Sequence, residues 1–454
     1  MKHAILSLAV VALLAGCGRD PDPPPAARAA VRADPSAPSR VEAWPLPATM
    51  AGSALPDLVV AADGRLLLAW VNSQRGRRHV LQFASFDPAA GRWLSAPMTI
   101  AIGHSMFVNW ADTPHIAATP DGALWVHWLQ KTADAPYAYD IMLSTSRNGG
   151  ARWSEPVVPH DDGTATEHGF VSMWPQGADR LGIAWLDGRR TGGHAATGTP
   201  PTPGPEGAAG DGTAPATGDD ASAGQSAHAT VAGTMTLRTA VFDGALRRSG
   251  EQELDASVCD CCQTDVALTS RGPLLVYRGR TADEVRDILA TRLDGDAWTA
   301  PRPVHADAWT MPACPVNGPA VAADGSDVVV GWYTAPADEA EVRIAHSADA
   351  GGTFAAPVVL DRGEAVQGRV DVALGDGEAW VLWLREEGPG QSLWLSRRSP
   401  DLAVEHERIQ VATLAGRGRV TGFPQLALHA GVAYVAWTDV VDGDAQLRGA
   451  RVLP

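Results

Sequence analysis

Four cysteines fall into two short segments of this 454-residue chain. Cys259, Cys261 and Cys262 stand within one tetrapeptide, and Cys314 opens a later segment that reads Cys-Pro-Val-Asn-Gly-Pro. In an oxidising compartment four cysteines allow three disulfide pairings, and a bond from the triplet to Cys314 would leave two thiols. Three or four converging thiolates would instead suit Cu(I) or Zn(II). The residues therefore predict either disulfides or a metal or redox site.

Two further sets of side chains could bind a ligand. Imidazole nitrogens would complete a Cu or Zn site if their loops converged on the cysteines, although a lone histidine is more often a packing or surface residue. Guanidinium groups gathered near one axis would bind an anion, although such arginines are more often solvated or paired with acids. The candidate histidines are His104, His115, His160 and His168, and the candidate arginines are Arg189, Arg278, Arg369 and Arg419.

The composition restricts the kind of partner. The formal net charge is −16 at pH 7, and Lys2 and Lys131 are the only lysines. Nucleic acid requires a basic surface, so this charge argues against it as a partner. Hydrophobic residues make up 45% of the chain, which is enough for a sizeable core, while 47 glycines and 34 prolines favour many turns over long helices.

The N-terminus has the pattern of a lipoprotein signal. A basic start precedes an apolar run, Ala4 to Leu14, that is too short for a permanent transmembrane helix. The run ends in Leu-Ala-Gly-Cys, which resembles the bacterial lipobox. That resemblance implies a signal peptide over 1–16 and membrane anchoring through lipid on Cys17. Gly18 follows in place of the aspartate associated with inner-membrane retention, which favours an outer-membrane anchor facing the periplasm.

Two segments lack the pattern of a folded core. Residues 17–40 are rich in Pro, Ala and Arg and predict a disordered tether. Residues from about 191 to 233 are rich in Gly, Ala, Thr, Pro and Asp, and they interrupt a patterned region. We therefore expect a surface insertion inside one folded domain, 41–454.

The patterned region repeats a unit of fifty-odd residues. Each unit has a turn at a glycine followed by an apolar run that ends in an aromatic residue. One spacing between successive aromatic residues is longer than the others, and subtracting the insertion reduces it to the common length. Short strands at this period are typical of a β-propeller, so we predict an all-β chain with seven four-stranded blades, six being the alternative count. The last unit has only three strands, and residues 41–47 would supply the fourth and close the ring. The aromatic landmarks are Trp70, Trp128, Trp185, Tyr277, Trp332, Trp383 and Trp437.

Two turns resemble the Asp-box, or BNR repeat, of the sialidase superfamily. They read Ser-Arg-Asn-Gly-Gly-Ala-Arg-Trp from 146 and Ser-Ala-Asp-Ala-Gly-Gly-Thr-Phe from 347. The resemblance implies a sialidase-like propeller in which these residues cap a turn between the third and fourth strands and have no catalytic role. The residues concerned are Ser146, Asn148, Gly150, Trp153, Ser347, Asp349, Gly352 and Phe354.

The sialidase active site does not transfer with the fold. In that family an arginine triad holds the substrate carboxylate, a Tyr–Glu pair is the nucleophile and an aspartate is the acid/base. The first arginine normally lies in an Arg-Ile-Pro motif, and the matching place here reads Leu55-Pro56-Asp57-Leu58. Of the five tyrosines, Tyr277 and Tyr434 fall on packing landmarks and Tyr333 follows one. The remaining two, Tyr137 and Tyr139, fall in a predicted loop, so the catalytic residues stay unassigned.

The cysteine segments are similar to paired Cys-x-Cys-Cys and Cys-Pro-x-x-Gly-Pro segments of bacterial sialidase-like propellers whose role is unsettled. Each segment precedes the innermost strand of a blade, so both should lie on one rim of the central channel. We therefore expect an envelope-anchored binding or metal/redox-handling propeller with Cu or Zn as the candidate cofactor. The alternative is an exo-glycosidase of sialidase type. The expected partners are the membrane and a small-molecule, glycan or protein ligand of unknown identity.

Overall fold

The computed structural model describes residues 38–47, 50–73, 78–192 and 233–454. All of them lie in one compact unit, Asp34–Pro454. The predicted signal peptide, Cys17, nearly all of the tether and residues 193–232 of the predicted insertion lie outside the described residues. Within the described ranges, the model contains no helix of the length and hydrophobicity needed to cross a membrane.

The chain forms seven antiparallel sheets arranged as the blades of a propeller, which confirms the predicted fold and blade count. The first strand, β1 (Arg40–Ala43), belongs to the last blade. Blade 1 contains β2 (Ser53–Val60), β3 (Leu66–Ser73), β4 (His79–Asp87), β5 (Arg92–Trp93) and β6 (Met98–Gly103). Blade 2 contains β7 (Met106–Phe107), β8 (Ile116–Ala118), β9 (Leu124–Lys131) and β10 (Tyr139–Ser146). Blade 3 contains β11 (His168–Pro175), β12 (Leu181–Asp187), β13 (Met235–Phe242) and β14 (Arg248–Val258).

The second half of the chain continues in the same way. Blade 4 contains β15 (Asp265–Thr269), β16 (Gly272–Arg278), β17 (Ile288–Asp294), β18 (Ala297–Trp298) and β19 (Arg302–Pro303). Blade 5 contains β20 (Ala320–Asp324), β21 (Asp327–Thr334), β22 (Glu341–Ser347) and β23 (Val358–Arg362). Blade 6 contains β24 (Val366–Gly375), β25 (Glu378–Glu387), β26 (Gly390–Arg398) and β27 (Glu405–Leu414). Blade 7 contains β28 (Gln425–His429), β29 (Val432–Val441) and β30 (Asp444–Leu453), and short 3₁₀ helices cover Pro336–Asp338 and Gly418–Thr421.

The ring closes between the two ends of the chain, as the sequence predicts. Strand β1 pairs antiparallel with β30, with Arg40 opposite Leu453 and Ala43 opposite Ala450. Trp44 follows directly and packs against Trp93 of blade 1, with ring centroids 5.3 Å apart. The N-terminal strand therefore covers the edge that β30 would otherwise expose.

The second strand of each blade is apolar because neighbouring blades cover both of its faces. Strand β3 reads Leu-Leu-Leu-Ala-Trp-Val and is buried from Leu66 to Val71. The aromatic landmarks lie on these strands and fill the space between sheets, which explains their regular spacing in the sequence. All seven are buried, with Trp70, Trp185, Trp332 and Trp383 completely inaccessible.

Side-chain carboxylates join neighbouring blades at their inner strands. Four aspartates each accept the backbone N–H of the next blade's inner strand at 2.6 to 2.8 Å. Because a buried N–H without a partner is costly, each contact fixes one blade against the next. The pairs are Asp57 with Ile116, Asp112 with Phe170, Asp265 with Val321 and Asp371 with Leu426.

The two turns that resemble Asp-boxes share one hydrogen-bond pattern. In the first, the Ser146 hydroxyl accepts the N–H of Gly150 at 3.0 Å and donates to Asn148 at 3.0 Å. In the second, the Ser347 hydroxyl accepts the N–H of Gly351 at 2.9 Å and donates to Asp349 at 2.7 Å. Positive φ angles occur at Gly149 and Gly150 in the first turn and at Ala350 and Gly351 in the second. In the second turn the glycine with positive φ is therefore Gly351, and not Gly352 as the sequence suggested. The aromatic residues that end the turns, Trp153 and Phe354, pack against apolar core clusters.

Candidate functional site

The four cysteines converge at the boundary between blades 3, 4 and 5. Cys259, Cys261 and Cys262 lie between β14 and β15, and Cys314 lies between β19 and β20. Cys261 and Cys314 form a disulfide with their Cα atoms 6.1 Å apart. The sulfur of Cys259 lies 3.9 Å from that of Cys261, and the three sulfurs of the triplet lie within 4.8 Å of one another. The two crossover loops therefore meet, as their placement before inner strands predicts.

The disulfide and the two free thiols differ in their exposure. Cys261 and Cys314 are half-buried. Cys259 and Cys262 are free thiols, each only 1% exposed. The disulfide is therefore the more accessible sulfur pair, and the thiols lie in the interior next to it.

Charge and burial act differently on the two thiols. Burial raises the pKa of Cys259 well above its usual value, and the neighbouring Cys262 raises it further. Burial also acts to raise the pKa of Cys262, but the hydrogen bond with Cys259 and the charge of Arg278 outweigh it, so that this pKa is lowered. Cys262 is therefore the more acidic thiol of the pair, and Cys259 is its hydrogen-bond donor.

Two arginines lie beside the thiols with different hydrogen bonding. Arg278 donates to three backbone carbonyls, those of Asn317, Arg286 and Tyr333, at 2.5 to 2.9 Å. Arg286 donates through Nη2 to Glu284 at 2.7 Å, but its buried Nε and Nη1 atoms have no hydrogen-bond partner. Arg278 thus holds the loops in place, while Arg286, whose Nη1 lies 3.7 Å from Asp260, brings a second positive charge near the sulfurs.

The guanidinium groups of the other candidate arginines either donate their hydrogen bonds to other residues of the protein or lie on the surface. Arg369 is buried and donates to Thr421 and to the carbonyls of Gly418 and Gly422 at 2.8 to 2.9 Å. Burial lowers its pKa to about 10. Arg189 forms a two-point contact with Asp187 at 2.8 Å. Arg419 is exposed and lies over Trp110, 5.7 Å from the ring centroid. The structure therefore does not gather the four guanidinium groups around one anion.

The candidate histidines lie apart from the cysteines. No described histidine belongs to the group that the three sulfurs form. His115 contacts Asp57 at 2.8 Å, and His104 is exposed in the turn after β6. His160 and His168 stack on each other, with ring centroids 3.7 Å apart, among aspartates of blades 2 and 3. The four histidines therefore do not complete the cysteine group: His104 lies on the surface, and the other three have carboxylate partners elsewhere.

The structure also forms a tyrosine–carboxylate group that the sequence does not reveal. Tyr139 is the first residue of β10, and its hydroxyl lies 2.6 Å from Glu167 and 3.0 Å from Asp112. One hydroxyl proton cannot serve both carboxylates, so a proton on one of the acids would complete the group. Burial raises the pKa of Asp112 to about 7 and that of Glu167 to about 8, which favours such a protonated acid. These partners come from separate loops with no common sequence pattern.

Acids also line the central channel. A cavity of about 260 Å³ is lined by Asp57, Asp265, Asp371 and His115. Gln263, which directly follows Cys262, also lines this cavity, so the cavity lies next to the cysteine loop. Burial raises the pKa of Asp265 to about 6, and burial with repulsion from Asp265 and Asp57 raises that of Asp371 to about 7. The cysteines, Tyr139 and the channel acids therefore occupy neighbouring parts of one region.

No protein-family model matches the chain. No curated protein matches its sequence. A protein of unknown function from Dyadobacter fermentans DSM 18053 is similar at 14% identity and a TM-score of 0.48, over 91% of this chain and 99% of that one. A variant of the NanB sialidase from Streptococcus pneumoniae gives 10% identity and a TM-score of 0.45, over 86% and 83%. The polysaccharide lyase Uly1 gives 9% identity and a TM-score of 0.48, over 87% and 89%. This chain is a seven-bladed β-propeller, and its structural neighbours include sialidase and polysaccharide lyase propellers.

Proposed function

We propose that this protein is a redox- and soft-metal-handling propeller whose working group is the cluster of Cys259, Cys261, Cys262 and Cys314. The observation that carries the proposal is the convergence of all four sulfurs where two crossover loops meet. A disulfide used only as a staple needs two of these cysteines. The other two are buried against it with opposite pKa shifts, an arrangement suited to a thiol–thiolate pair.

The redox step concerns the half-buried bond between Cys261 and Cys314. An external dithiol attacks one of these sulfurs, forms a mixed disulfide, and leaves as an intramolecular disulfide. Two electrons and two protons pass from the dithiol to the protein, and the S–S bond becomes two thiols. The product is a cluster of four thiols where the two crossover loops meet.

The reduced cluster suits Cu(I) or Zn(II). Thiolate sulfur is a soft ligand that selects Cu(I), and four thiolates make the tetrahedral site that Zn(II) prefers. Several thiolates around one ion leave net negative charge, and the charges of Arg278 and Arg286 would offset it. Oxidation to the Cys261–Cys314 disulfide removes two ligands and so weakens binding.

The test compares oxidised and reduced protein in a Cu(I) titration against bathocuproine disulfonate. We expect the reduced protein to take up one Cu(I) and the oxidised protein to bind at least about 100-fold more weakly, a coupling of about 2.7 kcal/mol. Cys262→Ser should lower the affinity of the reduced form, whereas Asp444→Asn, at an exposed position on β30, should not. Equal affinity of the two redox forms, or no uptake by either, would contradict the proposal.

We also propose that lipid on Cys17 anchors the protein in the outer membrane, facing the periplasm. The Leu-Ala-Gly-Cys ending at 14–17 supports this, since an acylated cysteine provides the two or more chains that stable anchoring needs. Cys17→Ala should abolish lipid labelling and membrane retention. The described propeller begins at residue 38, so folding should be unchanged. Retention of the variant in the membrane fraction would rule the anchor out.

An exo-glycosidase remains the second candidate function, favoured by one contact. The hydroxyl of Tyr139 lies 2.6 Å from Glu167, and a Tyr–Glu pair is the nucleophile of sialidases. Tyr139 is 1% exposed and burial raises its pKa well above the usual value, so this site must open before a substrate can react there. The occupied guanidinium groups of Arg189, Arg278 and Arg369 do not favour a sialic-acid carboxylate as ligand. Hydrolysis of fluorogenic glycosides that is lost in Tyr139→Phe would support this function. A folded protein with no activity on α-sialosides and neutral glycosides would contradict it.

A further inference from the structure

His160 and His168 form a stacked pair at the boundary of blades 2 and 3. Their ring centroids lie 3.7 Å apart and the ring planes differ by 10°, so the two imidazoles lie face to face. His168 is the first residue of β11, and His160 lies in the connection between β10 and β11, residues 147–167. The side chains of His168 and His160 are 0% and 3% exposed. The charge of each ring therefore acts on the other with little solvent between them.

Charged groups from several parts of the chain surround the pair. Asp140 Oδ1 on β10 lies 3.5 Å from His168 Nδ1 and 3.7 Å from His160 Nε2. Asp162 Oδ2, in the connection itself, lies 3.1 Å from His160 Nδ1 and 3.1 Å from His168 Nε2. The remaining charged groups are Asp187 on β12 and Arg189 after it, with Asp161, Arg248 and Glu251 behind them.

This arrangement holds one proton on the pair, and that proton belongs to His168. Burial acts to lower the pKa of His168, but the contact with Asp140 and the charges of Asp187 and Asp162 outweigh it, so that this pKa is raised. Burial and the charge of His168 lower the pKa of His160, although the same aspartates oppose them. A second proton would place two positive rings 3.7 Å apart, beside carboxylate oxygens that His168 already uses.

The same connection covers Tyr139. Thr166 accepts the N–H of Tyr139 at 3.2 Å, and Glu167 contacts the tyrosine hydroxyl at 2.6 Å. Tyr139 directly precedes Asp140, and Glu167 directly precedes His168. The contact of the tyrosine with Glu167 and the contact of Asp140 with His168 are therefore neighbours, and a change that separates one pair acts on the other.

The connection has space into which it can move. A cavity of about 340 Å³ is lined by Asp140 of β10 and, in the connection, by His160, Gly163 and Thr164. The connection is bridged to β10 at isolated positions, Leu143 with Val157 and Tyr139 with Glu167. A segment held by isolated bridges beside a cavity can separate from β10 without breaking a β-ladder, which makes it a unit of low local stability.

We propose that the stacked histidines are an acid-sensitive latch: protonation of His160 releases residues 158–167 from β10 and uncovers Tyr139. At neutral pH a neutral His160 stacks on a charged His168, and the latch is closed. Because the folded state favours the neutral form of His160, the contribution of this residue to stability is complete above about pH 6.5 and is lost as the pH falls below that value. The latch is separate from the cysteine cluster and does not require Tyr139 to be a nucleophile.

Hydrogen exchange of the full chain between about pH 7.5 and about pH 4.5 tests the latch. The backbone N–H of Tyr139 reports directly, because its acceptor Thr166 belongs to the segment that moves. After correction for the intrinsic exchange rate, we expect its protection to fall at least about 10-fold as the pH drops below about 6.5. His160→Gln, which cannot be protonated in this range, should keep its protection. The control His346→Gln, which alters a single pair with Asp327, should lose protection as the wild type does.

Two acids beside Tyr139 titrate at higher pH than His160 and are told apart by the same data. Burial raises the pKa of Asp112 to about 7 and that of Glu167 to about 8, so both acids take up protons before His160 does. A loss of protection that is complete by about pH 6.5, or that persists in His160→Gln, would assign the opening to these acids and overturn the latch.

Two results on the wild-type protein would also overturn it, and neither depends on the folding of a variant. One is protection of the Tyr139 N–H that stays constant over the whole pH range in which the protein remains folded. The other is an NMR titration in which the His160 imidazole becomes charged and the Tyr139 N–H signal does not change. Either result would leave the cysteine proposal untouched, because the Cu(I) titration measures sulfur ligands.

Discussion

Asp57 in blade 1 accepts the backbone N–H of Ile116 in blade 2 at 2.6 Å, across a boundary that no β-ladder spans. Its second oxygen contacts His115 at 2.8 Å, so both oxygens of this buried carboxylate are used. Equivalent contacts recur from Asp112, Asp265 and Asp371. The propeller therefore uses side chain-to-backbone hydrogen bonds where its blades meet at the channel.

Asp57→Ala should lower the free energy of unfolding by about 1–3 kcal/mol, because it leaves the buried N–H of Ile116 without an acceptor. Urea unfolding followed by tryptophan fluorescence would measure the change. Asp63→Ala is the control, since Asp63 is exposed and pairs with Arg65 in its own turn. Equal stability of the two variants would show that the contact across the blades does not contribute.

Asp371 should make the protein less stable as the pH rises. Its pKa is raised to about 7 in the fold, whereas an aspartate in the unfolded chain titrates near 3.9. Between about pH 4 and pH 7 the native state holds a proton that the unfolded chain has lost, so this contribution is complete below pH 4 and disappears as the pH passes 7. Asp371→Asn should therefore flatten the decline of unfolding free energy over that range.

Urea midpoints at several pH values would measure this slope for Asp371→Asn. The matched control is Asp444→Asn, an exposed aspartate on β30. The pKa of Asp265 is also raised, to about 6, so part of the pH dependence of stability should persist in the variant. An identical pH profile for wild type and Asp371→Asn would contradict the assignment.

Replacing residues 193–232 by a short Gly-Ser linker should change the unfolding temperature by less than about 2 °C. The flanking residues already meet, since a Cβ on Gly233 would lie 1.8 Å from the carbonyl oxygen of Arg190. A loop whose ends are adjacent is shortened at little entropic cost. Calorimetry would measure the difference, and a loss of many degrees would show that the segment contributes to the core.

Cys314→Ser should destabilise the oxidised protein by about 4 kcal/mol, from the loop entropy of a crosslink between positions 53 residues apart. Under a strong reductant the difference between wild type and variant should nearly vanish. Chemical denaturation with and without reductant would measure both. A difference that responds to a chelator and not to the reductant would instead show that a metal joins these loops in the oxidised protein.

The repeat and the closure could be predicted from sequence because they depend on local pattern. A strand buried on both faces must be apolar, and the aromatic residue on it recurs once per blade, as Trp70 and Trp332 illustrate. The closing strand could be predicted because the last unit has only three strands, and residues 41–47 supply the fourth. The convergence of the triplet with Cys314 could be predicted from the order of blades, since crossover loops at successive inner strands share a rim, but not that Cys261 is the one that bonds to Cys314.

The remaining site residues depend on contacts that no local pattern contains. Tyr139 and Glu167 meet where β10 passes the start of β11, so their pairing depends on the register of two blades. The same junction turns His168 towards Asp140 and away from the cysteines. Arg278 and Arg369 resembled anion ligands in the sequence, but carbonyl groups of irregular loops take up their donors.

The pairing of β1 with β30 has a consequence for biosynthesis. Arg40 lies in the first described strand, β1, and its partner Leu453 lies in the last, β30. Blade 7 therefore cannot be completed until all the other blades have been synthesised, and its last step joins residues at the greatest separation the domain offers. Such contacts form slowly because the loop entropy must be lost first. Until these contacts form, β30 presents an unpaired strand edge. The incomplete propeller is then a substrate for chaperones, and this is the stage of folding most exposed to aggregation.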